Sequence, residues 1–224
     1  MLEQILTELK KYHATLVAVS KTKSPEEILE IYQRGQRIFG ENRVEELVQK
    51  APLLPKDIEW HMIGHLQSKK VKKIASFVHF IQSVDSLKLM EEINKQAGRN
   101  ERFIHCLLQV KIASEESKYG LNVDELSELI TSHHKGQMKN VRICGLMGMG
   151  TFTENMEQVR NEFKLLSSYF KEIKEKFFLR DDTFKHLSMG MSGDYKIALE
   201  EGSNMVRIGT LIFGPRPCMI ARSS

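Results

Sequence analysis

The sequence predicts one (β/α)8 barrel of the TIM type with an extra helix at its N-terminus. Three observations predict it. Eight short apolar runs alternate with longer, polar segments of helical period. Strands separated in this way must pair in parallel, because a parallel crossover takes roughly a dozen residues. The 224 residues also carry no Gly/Ser linker, low-complexity tract or internal repeat, so 1–224 reads as a single domain. An open doubly wound sheet is the alternative built from the same alternation.

Each element has a local reason. MLEQILTELKKYH places Leu2, Ile5, Leu6 and Leu9 on one helical face. A strand over about 15–20 follows. Ser24-Pro25-Glu26-Glu27 then opens a helix, with an N-cap serine, a proline at the first helical position and two acids in the first turn. A short strand at 37–40 leads to a helix over 43–50 and a linker from Pro52 to Pro55. Strand 59–64 leads to a helix at 66–76, strand 78–84 to one at 86–98, and strand 103–112 to one at 123–133. Strand 141–147 precedes a long helix near 154–176, strand 184–188 a helix at 193–201, and strand 205–208 a short final segment.

Composition bounds the function. Hydrophobic residues make up 41% and charged residues 28%, the proportions of a globular chain with a sizeable core. A net charge of +4 falls short of a nucleic-acid footprint, though it suits anionic small molecules such as phosphate esters. Cys106, Cys144 and Cys218 are odd in number and far apart; the first two lie in apolar runs and read as buried thiols of a reducing compartment. The N-terminus lacks the basic region and cleavage site of a signal peptide, and no apolar run nears the ~20 residues of a membrane span. The expectation is a cytoplasmic protein with neither a membrane nor a nucleic-acid partner.

In such a barrel the chemistry sits where strands end and the following loops begin. Six of those ends carry polar or glycine-rich residues, at 20–22, 39–42, 62–65, 145–150, 187–192 and 207–210. Lys21 follows the apolar run Leu16–Val19. In an apolar pocket its amine would shed its charge easily and attack an aldehyde; a solvated loop lysine is the plainer reading. Lys23, two residues on, reads as solvated. Arg207 interrupts the core strand MVRIG, where an arginine is costly without a partner. It is either half of a structural ion pair with a barrel carboxylate or a fixed cation facing a ligand. Ser192-Gly193 and Gly209-Thr210 fall in the loops after the last two strands, where barrels often hold phosphate. Helix capping by Ser192 and Thr210 is the structural alternative.

Other features carry less. His61 and His65 lack the HExxH glutamate and on a strand stand ~13 Å apart, which argues against zinc. GLMGMG does not fit a dinucleotide fingerprint. Lys69-Lys70-Val71-Lys72-Lys73 reads as a solvated helix face. The methionines near 147–149 and 189–191 read as core filler.

Seven segments occur together and in one order: SKTK, FGENRVEE, WHMIGHLQSKK, SKYG, GLMGMG, LSMGMSGD and MVRIGTLIFG. From Leu16 to Arg216 the chain resembles the pyridoxal 5′-phosphate homeostasis protein family, small barrels related to the N-terminal domain of bacterial alanine racemase. In GHLQSKK, Lys69 stands where many members have asparagine. The resemblance implies pyridoxal 5′-phosphate held as a Schiff base on Lys21, with Asn42 along the ring and His65, Leu66 and Gln67 at the rim. It implies Ser192, Gly209 and Thr210 around the phosphate and Arg207 at the pyridine nitrogen, with Met147 and Ser188 completing the cofactor-binding set. An arginine at that nitrogen leaves it unprotonated and weakens the ring as an electron sink.

The implied function is intracellular buffering and supply of the cofactor without robust catalysis. The implied partners are pyridoxal phosphate itself and the apoenzymes that would receive it. A monomer is expected, since the chain is too short for a racemase-type second domain. A low-activity amino-acid racemase, with Tyr119 or Tyr195 as a local second base, is the enzymatic alternative. Read without the resemblance, the same lysine and phosphate loops suit a cofactor-free Schiff-base aldolase.

Overall fold

The computed structural model describes residues 1–113 and 119–215. Ser117 and Lys118 of the SKYG segment, and Cys218, lie outside the described residues. Eight strands close into a barrel in sequence order, every neighbouring pair parallel. They are β1 (Thr15–Val19), β2 (Ile38–Glu41), β3 (Glu59–Met62), β4 (Phe80–Val84), β5 (Ile104–Gln109), β6 (Val141–Met147), β7 (His186–Ser188) and β8 (Met205–Ile208). Closure between β8 and β1 excludes the open doubly wound sheet.

Helices fill the connections: α1 (Leu2–Lys11), α2 (Pro25–Gln33), α3 (Val44–Lys50), α4 (Leu87–Arg99), α5 (Val123–Ser132), α6 (Met156–Phe177), α7 (Tyr195–Glu200) and α8 (Thr210–Phe213). The start signal of α2 is realised as a capping box. Ser24 Oγ accepts from the Glu27 N–H, and Glu27 accepts from the Ser24 N–H at 2.8 Å.

The two-residue period of the strands divides the core. Val17, Val19, Phe80, Leu107, Cys144, Met147 and Met205 fill the barrel interior. Leu16, Ala18, Phe39, Val206 and Ile208 join the larger layer between strands and helices. Arg207 has the parity of Met205 and pairs in register with Val17, so its guanidinium enters the barrel. Lys21 has the parity of Val17 and Val19, just beyond the end of β1.

The structure corrects several expectations. The helix expected at 66–76 is a 3-10 turn, Ser68–Lys73, because Lys69, Lys70, Lys72 and Lys73 place like charges three and four residues apart. Lys69, Lys72 and Lys73 are solvated as expected, whereas Lys70 pairs with Glu45 at 2.9 Å. Strands expected at 59–64, 78–84 and 103–112 shorten to the bounds given above. Lys23 is not solvated but 8% exposed; its ammonium donates to Glu27 at 3.0 Å and to the Phe213 carbonyl at 3.1 Å, tying α2 to the last helix. Cys106 and Cys144 are buried free thiols, and burial pushes the Cys144 thiol up to about 11. No helix among the described residues is long and apolar enough to cross a membrane.

Candidate functional site

A cavity of about 720 Å³ opens at the mouth where the strands end. Six of the eleven residues expected at a cofactor site line it: Lys21, Asn42, Ser192, Arg207, Gly209 and Thr210. They come from the ends of β1, β2, β7 and β8, up to 189 positions apart in the chain (210 − 21). Met149, Phe152, Met156 and Met191 supply apolar wall.

Lys21 is half-buried in the turn after β1, between Ser20, which is wholly buried, and Thr22, which takes a left-handed φ of 65°. Asn42 follows the buried Glu41 at the end of β2, and its Oδ1 is a buried acceptor without a hydrogen-bond partner. A buried acceptor in that state calls for a donor from a bound molecule or water. Gly64 makes room for this arrangement: a Cβ there would stand 2.3 Å from the Asn42 carbonyl oxygen.

Arg207 is 4% exposed. Its Nη1 donates to Ser188 Oγ at 2.7 Å and its Nη2 to the Gly148 carbonyl at 3.0 Å. Burial pushes its pKa down to about 10, opposed by the charge of Asp194, so it stays a cation at neutral pH. The structural ion pair with a barrel carboxylate therefore gives way to two neutral acceptors, which hold the group while leaving its charge uncompensated by direct contact.

Ser192 and Thr210 are not helix caps. Asp194 and Gly209 occupy the N-cap positions of α7 and α8, neither with a side-chain cap bond. Both residues line the cavity instead.

Five expected residues lie elsewhere. Leu66 is buried in the layer between strands and helices and Gln67 is exposed, and neither lines the cavity. Met147 is fully buried in the barrel interior, and Ser188 is buried beneath the cavity, where it accepts from Arg207 and donates to Gln82 Oε1 at 2.7 Å. His65 is exposed; its Nδ1 donates to Asp85 at 3.0 Å and its ring stacks on Tyr119 at 3.8 Å. Tyr195 turns away, donating to Glu8 of α1 at 2.6 Å. Among the described residues no cluster of metal-ligating side chains occurs.

Sequence reasoning missed the supports of the site. Gln82, whose Nε2 donates to His61 Nδ1 at 2.8 Å, extends the Arg207–Ser188 chain into the barrel. Lys50, Glu41 and Glu46 surround the Lys21 turn. Only the Glu46–Lys50 pair, four apart on a helix, leaves a trace in the sequence.

An amine, a guanidinium and hydroxyl-bearing residues meet at one barrel mouth, a chemistry suited to a small anionic carbonyl compound. The alanine racemase N-terminal domain model matches residues 2–217. A pyridoxal phosphate homeostasis protein of Aquifex aeolicus is 41% identical over 204 residues, covering 91% of this chain and 87% of the relative. The human protein of that name is 39% identical over 221 residues, covering 93% and 79%. Among solved structures, PipY of Synechococcus elongatus superposes with a TM-score of 0.86 at 32% identity, over 96% of this chain and 100% of its own; its form with PLP bound gives 0.83. The chain belongs to the pyridoxal phosphate homeostasis protein family, within the alanine racemase N-terminal-domain barrels.

Proposed function

We propose that this chain, folded as one domain, binds pyridoxal 5′-phosphate in the barrel-mouth cavity and holds it on Lys21 as a Schiff base. In this reading it serves intracellular cofactor homeostasis without dedicated turnover, as a monomer in the cytoplasm that can pass the cofactor to apoenzymes. The observation that carries the reading is convergence on one cavity of Lys21, the orphaned Asn42 acceptor, Arg207 and the Ser192 and Thr210 hydroxyls.

When bound, the cofactor supplies an aldehyde that condenses with an amine, losing water, and a pyridine ring whose electron demand depends on its nitrogen. The residues divide the work. Lys21 offers the amine. Ser192, Gly209 and Thr210 suit phosphate oxygens, with hydroxyl donors and backbone that can approach closely. Arg207, fixed by Ser188 and Gly148, keeps a positive charge at the floor and holds no proton that it can give up at neutral pH. Met147, Ser188 and His65 act from behind or beside the cavity in this reading, as packing, support and rim.

The family membership and the PLP-bound PipY structure support the cofactor assignment. The racemase alternative requires a second base opposite Lys21, and neither Tyr119 nor Tyr195 lines the described cavity.

The test is an absorption spectrum of the purified protein with pyridoxal phosphate, then borohydride reduction and peptide mapping. A visible band whose reduced adduct maps to Lys21 is the expected result. A protein that stays colourless overturns the reading in favour of a cofactor-free lysine. Turnover of D- or L-alanine at enzymatic rates would overturn the non-catalytic part alone.

A further inference from the structure

The turn that carries Lys21 is clamped on both sides by a buried charge cluster from α3 and the end of β2. Lys50, 8% exposed at the end of α3, donates to the Ser20 carbonyl at 2.9 Å, to Glu41 Oε1 at 2.8 Å and to Glu46 Oε2 at 2.8 Å. All three ammonium protons are thereby used. Glu46 Oε2 also accepts from the Thr22 N–H at 2.7 Å, and Ser20 Oγ donates to Glu41 Oε1 at 2.7 Å. The two peptide groups flanking Lys21 are therefore both tethered. The carbonyl before it goes to Lys50, and the N–H after it goes to Glu46, which Lys50 holds in turn.

This cluster is costly to build. Glu41 is wholly buried, its Oε2 has no partner, and burial raises its pKa despite the hydrogen bonds from Lys50 and Ser20. At Glu46 burial also works to raise the pKa, but the bonds from Lys50 and Thr22 prevail and hold its carboxyl below the usual range. Thr22 is kept in a left-handed conformation, which a β-branched residue adopts only when its surroundings impose it. Desolvated charge and backbone strain thus converge on one residue, and that residue is the only one of the turn's three whose side chain lines the cavity. A staple for α3 alone would need neither the Ser20 carbonyl nor the Thr22 N–H.

We infer that Lys50 and Glu46 are positioning residues for the Lys21 amine: they fix the flanking peptide planes and so aim Nζ at the carbonyl carbon of the bound ligand. The inference rests on the proposed cofactor site. Its content is a split between two affinities. An aldehyde ligand must meet the amine at a set distance and angle, whereas a ligand held only by the hydroxyl loops and Arg207 does not depend on where Lys21 points.

The experiment titrates the full chain and its Lys50→Met and Glu46→Ala variants with two ligands. Pyridoxal 5′-phosphate carries the aldehyde; pyridoxine 5′-phosphate carries an alcohol there and reports on the pocket alone. Both variants are expected to bind pyridoxal phosphate roughly tenfold more weakly, with less borohydride-fixable adduct, while pyridoxine phosphate affinity stays within about twofold. Equal losses for both ligands, or unchanged pyridoxal phosphate affinity, overturn the inference. Should Lys50→Met fail to fold, Glu46→Ala decides, since its partly exposed side chain leaves the Lys50–Glu41 pair in place. A wild-type chain that binds neither ligand overturns the cofactor site itself, a result distinct from either outcome for the clamp.

Discussion

Arg207 Nη1 donates to Ser188 Oγ at 2.7 Å, and this bond is the first step of a polarised chain running into the barrel. Ser188 donates to Gln82 Oε1 at 2.7 Å, and Gln82 donates to His61 Nδ1 at 2.8 Å. Every proton in the chain points away from the cavity. The arrangement binds the guanidinium through a neutral acceptor, so its charge remains available at the cavity floor. It also requires His61 to be a neutral imidazole, because its Nδ1 accepts.

Removing the hydroxyl should strand two groups at once. Ser188→Ala leaves an Arg207 N–H and the Gln82 carbonyl oxygen without their partner in a buried site. A cost of about 1–3 kcal/mol is expected, read as a lower denaturant midpoint with an unchanged slope. A loss near zero would mean that water replaces the hydroxyl.

Acid should destabilise this fold through its buried histidines. Burial, then the neighbouring His79, His186 and His105, hold His61 down to about 3; burial, then Lys185 and His105, hold His186 to about 4. A folded-state pKa below the unfolded 6.5 means that the unfolded chain takes up protons first as pH falls. Stability is therefore complete above about pH 6.5 and declines below it toward pH 3. His61 alone should cost about 2 kcal/mol between pH 7 and pH 5. Denaturant curves at the two pH values check it, and His61→Gln should reduce the difference by about that amount while the His186 contribution remains.

Lys21→Ala should separate holding from bonding. The variant is expected to lose the borohydride-fixable adduct yet retain weak affinity for pyridoxal phosphate through Arg207 and the hydroxyl loops, seen in equilibrium dialysis. An adduct that survives at full yield would place the covalent anchor on another amine.

Gly64→Ala tests how closely the loop after β3 must approach Asn42. The added Cβ would lie 2.3 Å from the Asn42 carbonyl oxygen, so one backbone segment must move. A loss of about 1–3 kcal/mol is expected, together with weaker pyridoxal phosphate binding because Asn42 lines the cavity. Unchanged melting and unchanged affinity would show that the loop yields freely.

Much of the site was legible from strand parity and strand ends. Lys21 continues the inward parity of Val17 and Val19, and Arg207 that of Met205, so both could be read as facing the barrel axis. The loops at Ser192 and Gly209–Thr210 follow from counting strands. Ser188 and Met147 share the inward parity but sit too deep to reach the cavity, which period alone does not reveal. His65 has the right loop and turns to Asp85 and Tyr119. The burial of Lys23 is not legible in the sequence, because its partners, Glu27 and the Phe213 carbonyl, meet only where the first connection of the closed ring adjoins α8.

The sequence by itself determined the alternation of strand and helix, the start signal of α2, the placement of Lys21 and Arg207 at strand positions where a pocket could form, and the family. Those properties live in spacing and local chemistry, which a linear chain carries openly. Only the tertiary structure decided what each charged group touches: Ser188 against Gln82 across 106 residues, and Lys50 against the Ser20 carbonyl across 30. A two-residue period states which face of a strand a side chain takes. It does not state the stagger with which eight strands close, and that stagger selects the partners that make a buried charge tolerable.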